Sequence, residues 1–103
     1  MPSNAADAKG LLKTAIRDNS PVIFIEHKLQ YTQNFEVPEG EYTVPFGVAN
    51  VVREGGDLTI VATSTMVGHA VKVADALEKE GKHIEVIDPR TIVPLDMERF
   101  LNP

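Results

Sequence analysis

The sequence contains no cysteine, no cluster of lysine and arginine, and no long apolar run. Each absence excludes something. Without cysteine there are no disulfides and no thiolate chemistry, although the compartment is left open by that fact alone. Ten basic residues scattered among fifteen acidic ones, for a net charge of −5, give no electrostatic footprint for phosphate backbones, so nucleic acid is not an expected partner. No stretch approaches the roughly 18 apolar residues of a membrane span. The start, Met1-Pro2-Ser3-Asn4, is polar and lacks the basic-then-apolar pattern of a secretory signal. A cytoplasmic location is the expectation.

What is present is ordinary for a globular chain: 43% apolar and 24% charged over 103 residues. A chain of this size buries roughly 60–68% of the surface that its unfolded form exposes, enough for a small core.

Residues 4 to 18 read as a helix. Asn4 is the N-cap, Asp7 lies in the first turn, and Ala8, Leu11, Leu12, Ala15 and Ile16 form a stripe at helical spacing. Gly10 weakens that helix by ~1 kcal/mol relative to alanine, which suggests close backbone packing at this point. Asn19-Ser20-Pro21 ends it. The apolar run Val22 to Glu26 is expected to be a strand covered on both faces. Residues 27 to 47, with Pro38, Gly40, Pro45 and Gly47, read as a long connection between domains.

The second half has clearer signals. Val51 to Arg53 is expected as a short edge strand, and Gly55-Gly56-Asp57 as a turn. Leu58 to Thr63 reads as a buried strand, followed by a helix from Ser64 or Thr65 to about Glu80. Its apolar face is Val67, Ala70, Val71, Ala74 and Leu77, while Lys72, Asp75, Glu78 and Lys79 face water. Gly81 is the C-terminal stop, and Ile84 to Ile87 is the next strand. Strand, helix and strand over about thirty residues make a βαβ unit with parallel strands. A last helix is expected to begin at Asp96. The chain opens on a helix and closes as another begins, which is the pattern of a segment from a larger protein with an incomplete parallel sheet of three or four strands.

Motifs for chemistry are scarce. Neither G-x-G-x-x-G nor G-x-x-x-x-G-K-[ST] occurs, and the glycines near strands precede them. Ser64 and Thr65 lie between a strand and a helix N-terminus, where anions are favoured, though plain N-capping is the stronger explanation. Glu26, His27 and Lys28 stand at a strand end, where open α/β sheets tend to place ligands. Adjacent residues of an extended segment point to opposite faces, so Glu26 and His27 are not expected to converge. Asp88 and Arg90 are expected to make a structural ion pair or a hydrogen-bonded corner. His69 and His83 have no partner at metal-ligand spacing, and no G-x-S-x-G nucleophile motif is present.

Three separated stretches carry a family resemblance. They are DAKGLLKTAIRDNSPVIFIEHK at 7–28, VPFGVANVVREGGDLTIVATSTMVGHAVKVADAL at 44–77, and EVIDPRTIVPLD at 85–96. In that order and spacing they closely resemble the beta subunits of the 2-oxoacid dehydrogenases, which include the pyruvate, branched-chain and acetoin enzymes. The resemblance implies an α/β fold: an incomplete parallel-sheet βαβ unit of the transketolase C-terminal type, preceded by a helix and strand from a pyrimidine-binding domain. By the same resemblance residues 1–28 are the end of the pyrimidine-binding domain, 29–47 a linker, and 48–103 the first part of the transketolase C-terminal-like domain.

That family's active enzymes pair alpha and beta subunits around thiamine diphosphate and Mg²⁺. They decarboxylate a 2-oxoacid and reductively acylate lipoyl groups. The resemblance places the family's cofactor-activating glutamate and active-site histidine upstream of Met1, and its Mg²⁺-diphosphate motif in the alpha subunit. No catalytic or cofactor-binding residue therefore maps onto this chain, and thiamine diphosphate is not expected to bind it alone. One site maps in part. Related subunits hold a structural monovalent cation (K⁺) at the helix end matching Ala15, Ile16, Asp18 and Ser20. Ser20 stands where the family usually has Asn, a change that a backbone ligand tolerates; Pro89 stands where it usually has Leu.

Two functional readings follow. One is an oxidoreductase part, inactive alone, whose partners are an alpha subunit and a second beta subunit. The other is a stand-alone, non-catalytic binding or assembly module that retains a remnant of the fold and covers its apolar faces by forming homo-oligomers.

Overall fold

A computed structural model describes all 103 residues. Its centre is the most deeply buried strand of the chain. β3 (Ile84–Asp88) is buried at every position, because it lies between two other strands in the order β1-β3-β2. β2 (Leu58–Val61) runs parallel to it, with Leu58 opposite Ile84 and Val61 opposite Ile87. β1 (Asn50–Arg53) pairs antiparallel on the other side, with a bulge between Val51 and Arg53. The expected edge strand at 51–53 is present, and the sheet is mixed rather than wholly parallel.

Between β2 and β3 runs α2 (Thr65–Glu78). The predicted stripe is the face it buries: Val67, Ala70 and Ala74 pack with Ile84 and Val86, and Ile60, Ala62, Val71 and Leu77 close the margin. The register puts Ile60 beside Val86, so both strands point one set of alternate side chains at the helix. On the opposite face Thr59 Oγ1 donates to Glu85 Oε1 at 2.7 Å. Gly81, at φ 79°, ends α2: its N–H bonds the Glu78 carbonyl, and the Lys82 N–H reaches back to Leu77. This is the paired closure of a helix whose stop residue is left-handed. A short α3 (Met97–Leu101) begins at Asp96, whose side chain accepts from the Arg99 N–H.

In the first half, α1 (Ala5–Arg17) starts as expected, with the Asn4 side chain accepting the Asp7 N–H at 2.8 Å. Only part of its stripe is covered. Leu11 is 1% exposed, whereas Leu12 and Ile16 are 42% and 74% exposed. The expected strand at Val22–Glu26 does not form. The run is irregular and largely exposed, with Ile23 at 89%. Its composition suits a strand, but a strand exists only where a neighbour satisfies its N–H and C=O groups, and no backbone hydrogen bond joins residues 22–26 to another segment. One 3₁₀ turn follows at Lys28–Gln30.

Residues 38–44 form a strap along α1. Lys9 Nζ donates to the Pro38 and Gly40 carbonyls, both at 2.9 Å, and lies 4.8 Å from the Tyr42 ring centroid. Glu41 pairs with Lys13 and Arg17, cations that hold its carboxyl below the usual range. Tyr42 Oη donates to the Ala6 carbonyl, and Thr14 Oγ1 to that of Val44.

Candidate functional site

In an open α/β sheet, ligands gather at the carboxyl ends of the strands. Here β2 ends at Val61 and β3 at Asp88, and α2 begins beside them. Ser64 takes the N-cap position but does not cap. Its backbone is at φ 53° and ψ −130°, and its hydroxyl points to Gln30 Oε1 at 3.5 Å instead of the helix N–H groups. The expectation of side-chain capping by Ser64 is thus corrected. A backbone in that region directs the hydroxyl away from the first turn.

Asp88 and Arg90 make the expected corner, and more. The Arg90 N–H donates to Asp88 Oδ1 at 2.9 Å, while Ser3 Oγ donates to Asp88 Oδ2. Burial pushes the Asp88 carboxyl up from its ordinary value, opposed by the hydrogen bonds from Ser3 and Arg90. The Arg90 guanidinium does not turn to Asp88. It grips Asp7 side-on, with Nε and Nη2 each 3.0 Å from a carboxylate oxygen. The Met1 amino group donates to the Arg90 carbonyl. Its pKa is lowered by burial, against the pull of Asp88. Gln30 Nε2 completes the group by donating to the Ser3 carbonyl.

The sequence reading missed Ser3, Asp7 and Gln30. Asp7 carried only the signal of an acid in a helix's first turn, and no local pattern announces a partner 83 residues away. Glu26 and His27 do not converge, as expected. Glu26 accepts from Tyr31 Oη at 2.8 Å, a bond that raises the tyrosine pKa. His27 Nδ1 caps the 3₁₀ turn by accepting from the Leu29 N–H.

The candidate cation residues lie together at the C-terminal end of α1, where unpaired carbonyls and the helix dipole favour cations. The Ala15 carbonyl accepts the Asp18 N–H at 3.3 Å, and Asp18 Oδ1 accepts the Ser20 N–H at 2.8 Å. The Ile16 carbonyl accepts nothing from the chain. Asp18 and Ser20 also border an open cavity of about 540 Å³ between α1, residues 20–25 and the 91–94 loop, with Leu11, Phe46 and Pro94 among its walls. That cavity is mainly apolar and holds no acid–base pair. Nowhere do three His, Asp, Glu or Cys side chains come together to hold a metal ion.

The family described as the transketolase C-terminal domain matches residues 47–102, the part that contains the sheet, α2 and α3. The chain belongs to the transketolase C-terminal domain family. This transketolase-type chain is 54% identical over 100 residues to the acetoin:2,6-dichlorophenolindophenol oxidoreductase subunit beta of Cupriavidus necator, a match covering 97% of the chain and 30% of that protein. It is 52% identical over 102 residues to the pyruvate dehydrogenase E1 component subunit beta of Bacillus subtilis, covering 98% and 31%. Among solved structures, a split gene transketolase described as an inactive beta4 tetramer superposes with a TM-score of 0.72 at 28% identity, over 97% of this chain and 32% of that one. The chain therefore spans about a third of the length of the proteins it matches. The similarity to beta subunits extends through α1 and the strap, beyond the family-matched region.

Proposed function

We propose that the chain is a segment of the beta subunit of a thiamine-diphosphate-dependent 2-oxoacid dehydrogenase, inactive alone and competent within the whole subunit. The observation that carries this reading is the 54% identity to an acetoin oxidoreductase subunit beta and the 52% identity to a pyruvate dehydrogenase E1 subunit beta, along nearly the entire chain. Residues 1–28 then close a pyrimidine-binding domain, 29–47 connect, and 48–103 open the transketolase-type domain. Decarboxylation of the 2-oxoacid and acylation of lipoyl groups belong to the whole enzyme, with an alpha subunit and a second beta subunit as partners, in the cytoplasm.

The residues present do not fit thiamine diphosphate or Mg²⁺. No acidic cluster is available for the metal, and the carboxyl ends of β2 and β3 are filled by Ser3, Asp7 and Gln30. No catalytic step is assigned to this chain. A structural monovalent cation at the end of α1 is part of this reading, supported by the Ile16 carbonyl that accepts no hydrogen bond from the chain. The carbonyls of Ala15, Ile16 and Ser20 with the Asp18 carboxylate would supply part of an oxygen shell suited to K⁺, and the cation would fix the end of α1.

The test is calorimetric. The full beta subunit containing these residues, mixed with its alpha partner and Mg²⁺, should release heat on titration with thiamine diphosphate, whereas the 103-residue chain should not. A silent titration of the paired subunits would refute the reading.

A specific observation favours the alternative of a stand-alone assembly module: Ile16, Ile23 and Val93 are 74%, 89% and 90% exposed. Apolar surface of that kind is covered by self-association or by another subunit. Light scattering distinguishes the cases, since a folded monomer at every concentration excludes the self-assembling module.

A further inference from the structure

Helix α1 has no extensive packing against any strand or against α2. Its direct polar ties to the sheet unit converge on one place, the carboxyl end of the parallel pair. Asp7 is 5% exposed and receives the guanidinium of Arg90 through two bonds of 3.0 Å. Ser3, two residues before the helix, donates to Asp88, which is wholly buried. Gln30 bridges the Ser3 carbonyl and the Ser64 hydroxyl at the start of α2. Arg90 holds this position with φ at 61°, a left-handed conformation that is unfavourable for a non-glycine residue. Two buried carboxylates, one from each half of the chain, thus meet at a single residue: Asp7 takes the guanidinium of Arg90 and Asp88 its backbone N–H.

We propose that residues 1–7 and Gln30 form an intramolecular plug in the crevice at the carboxyl ends of β2 and β3, and that the Arg90–Asp7 ion pair is the latch holding it. The crevice is then a docking site for residues 1–7 of the same chain. The latch, together with the strap, sets how the first half sits on the second. Releasing it uncovers Ser64 and the first turn of α2 without dismantling the sheet, because the β2–α2–β3 core lies on other residues.

Hydrogen exchange resolved by peptide on the 103-residue chain tests this. In the unsubstituted chain the α1 amides are protected. Arg90→Lys keeps the charge but loses the planar fork, and Asp7→Asn keeps the shape but loses the charge. Each should speed exchange of residues 5–17 by roughly tenfold or more, the factor for each ~1.4 kcal/mol, while 84–88 stay within about twofold. Ser3→Ala, a milder change at the plug, should give a smaller rise confined to the same helix, and it decides the matter if the other variants do not fold. Unchanged α1 exchange in the variants, a parallel rise in β3, or an unprotected α1 in the parent chain would overturn the proposal.

Discussion

Substituting Gly10 by alanine separates helix propensity from packing. On propensity alone the change stabilises α1 by ~1 kcal/mol. The strap opposes it. A Cβ at residue 10 would stand 2.4 Å from Val44 Cγ2, 2.9 Å from the Val44 backbone nitrogen and 3.1 Å from Tyr42 Cε2. The nitrogen is main chain, so the strap itself must shift. Overpacking of this kind costs about 1–3 kcal/mol. The shift also endangers the Thr14 hydroxyl bond to Val44 and the Tyr42 hydroxyl bond to Ala6, each worth about 1 kcal/mol. Offsetting the propensity gain leaves a net loss of roughly 1–3 kcal/mol. Urea unfolding followed by circular dichroism should show a lower midpoint with an unchanged slope, the mark of altered stability rather than altered compactness. A midpoint raised by the propensity gain would refute the account of the strap.

Asp88 supplies a pH-dependent prediction. Its folded pKa is raised by burial above the ordinary 3.8, so the folded state takes up the proton more readily than the unfolded one. The stabilising contribution is fully present below the unfolded value and is lost as pH rises through the folded value. Asp88→Asn should therefore melt above the parent chain at pH 7, and the gap should close below pH 3.8 in thermal melts. For the cation, replacing a bulky organic cation by K⁺ should stabilise the protein by about 1.4 kcal/mol when K⁺ is tenfold above its dissociation constant. Asp18→Ala should abolish the difference, and equal melting in both salts would remove the site. Truncating the buried Leu11 to alanine should cost about 2–5 kcal/mol in urea unfolding.

The parts of the fold legible in the sequence were those fixed by local periodicity and capping. α2 could be read because five apolar positions recur at helical spacing before a left-handed glycine, and the structure buries that stripe. Asn4 and Asp96 cap as expected, since a short side chain bonds backbone two or three residues away without help from the rest of the fold. The strand expected at Val22–Glu26 was a misreading: its composition suits burial, but the run stays irregular and its backbone groups pair with no other segment, and composition alone does not report pairing. β1 was placed correctly as an edge, but its antiparallel direction is set by the route of the chain from the strap. The Asp88–Arg90 corner was legible from spacing. The grip of Arg90 on Asp7 was not, since it joins opposite ends of the chain and leaves no periodic trace.

The claim that this chain serves as part of a dehydrogenase beta subunit is tested most directly by the intact mass of the native polypeptide. It would be recovered from its source with an antibody against these residues. The account predicts a mass about three times 11.3 kDa, because the chain spans 30% of a beta subunit that it resembles. A native mass of 11.3 kDa would contradict it and leave the stand-alone assembly module as the reading to pursue.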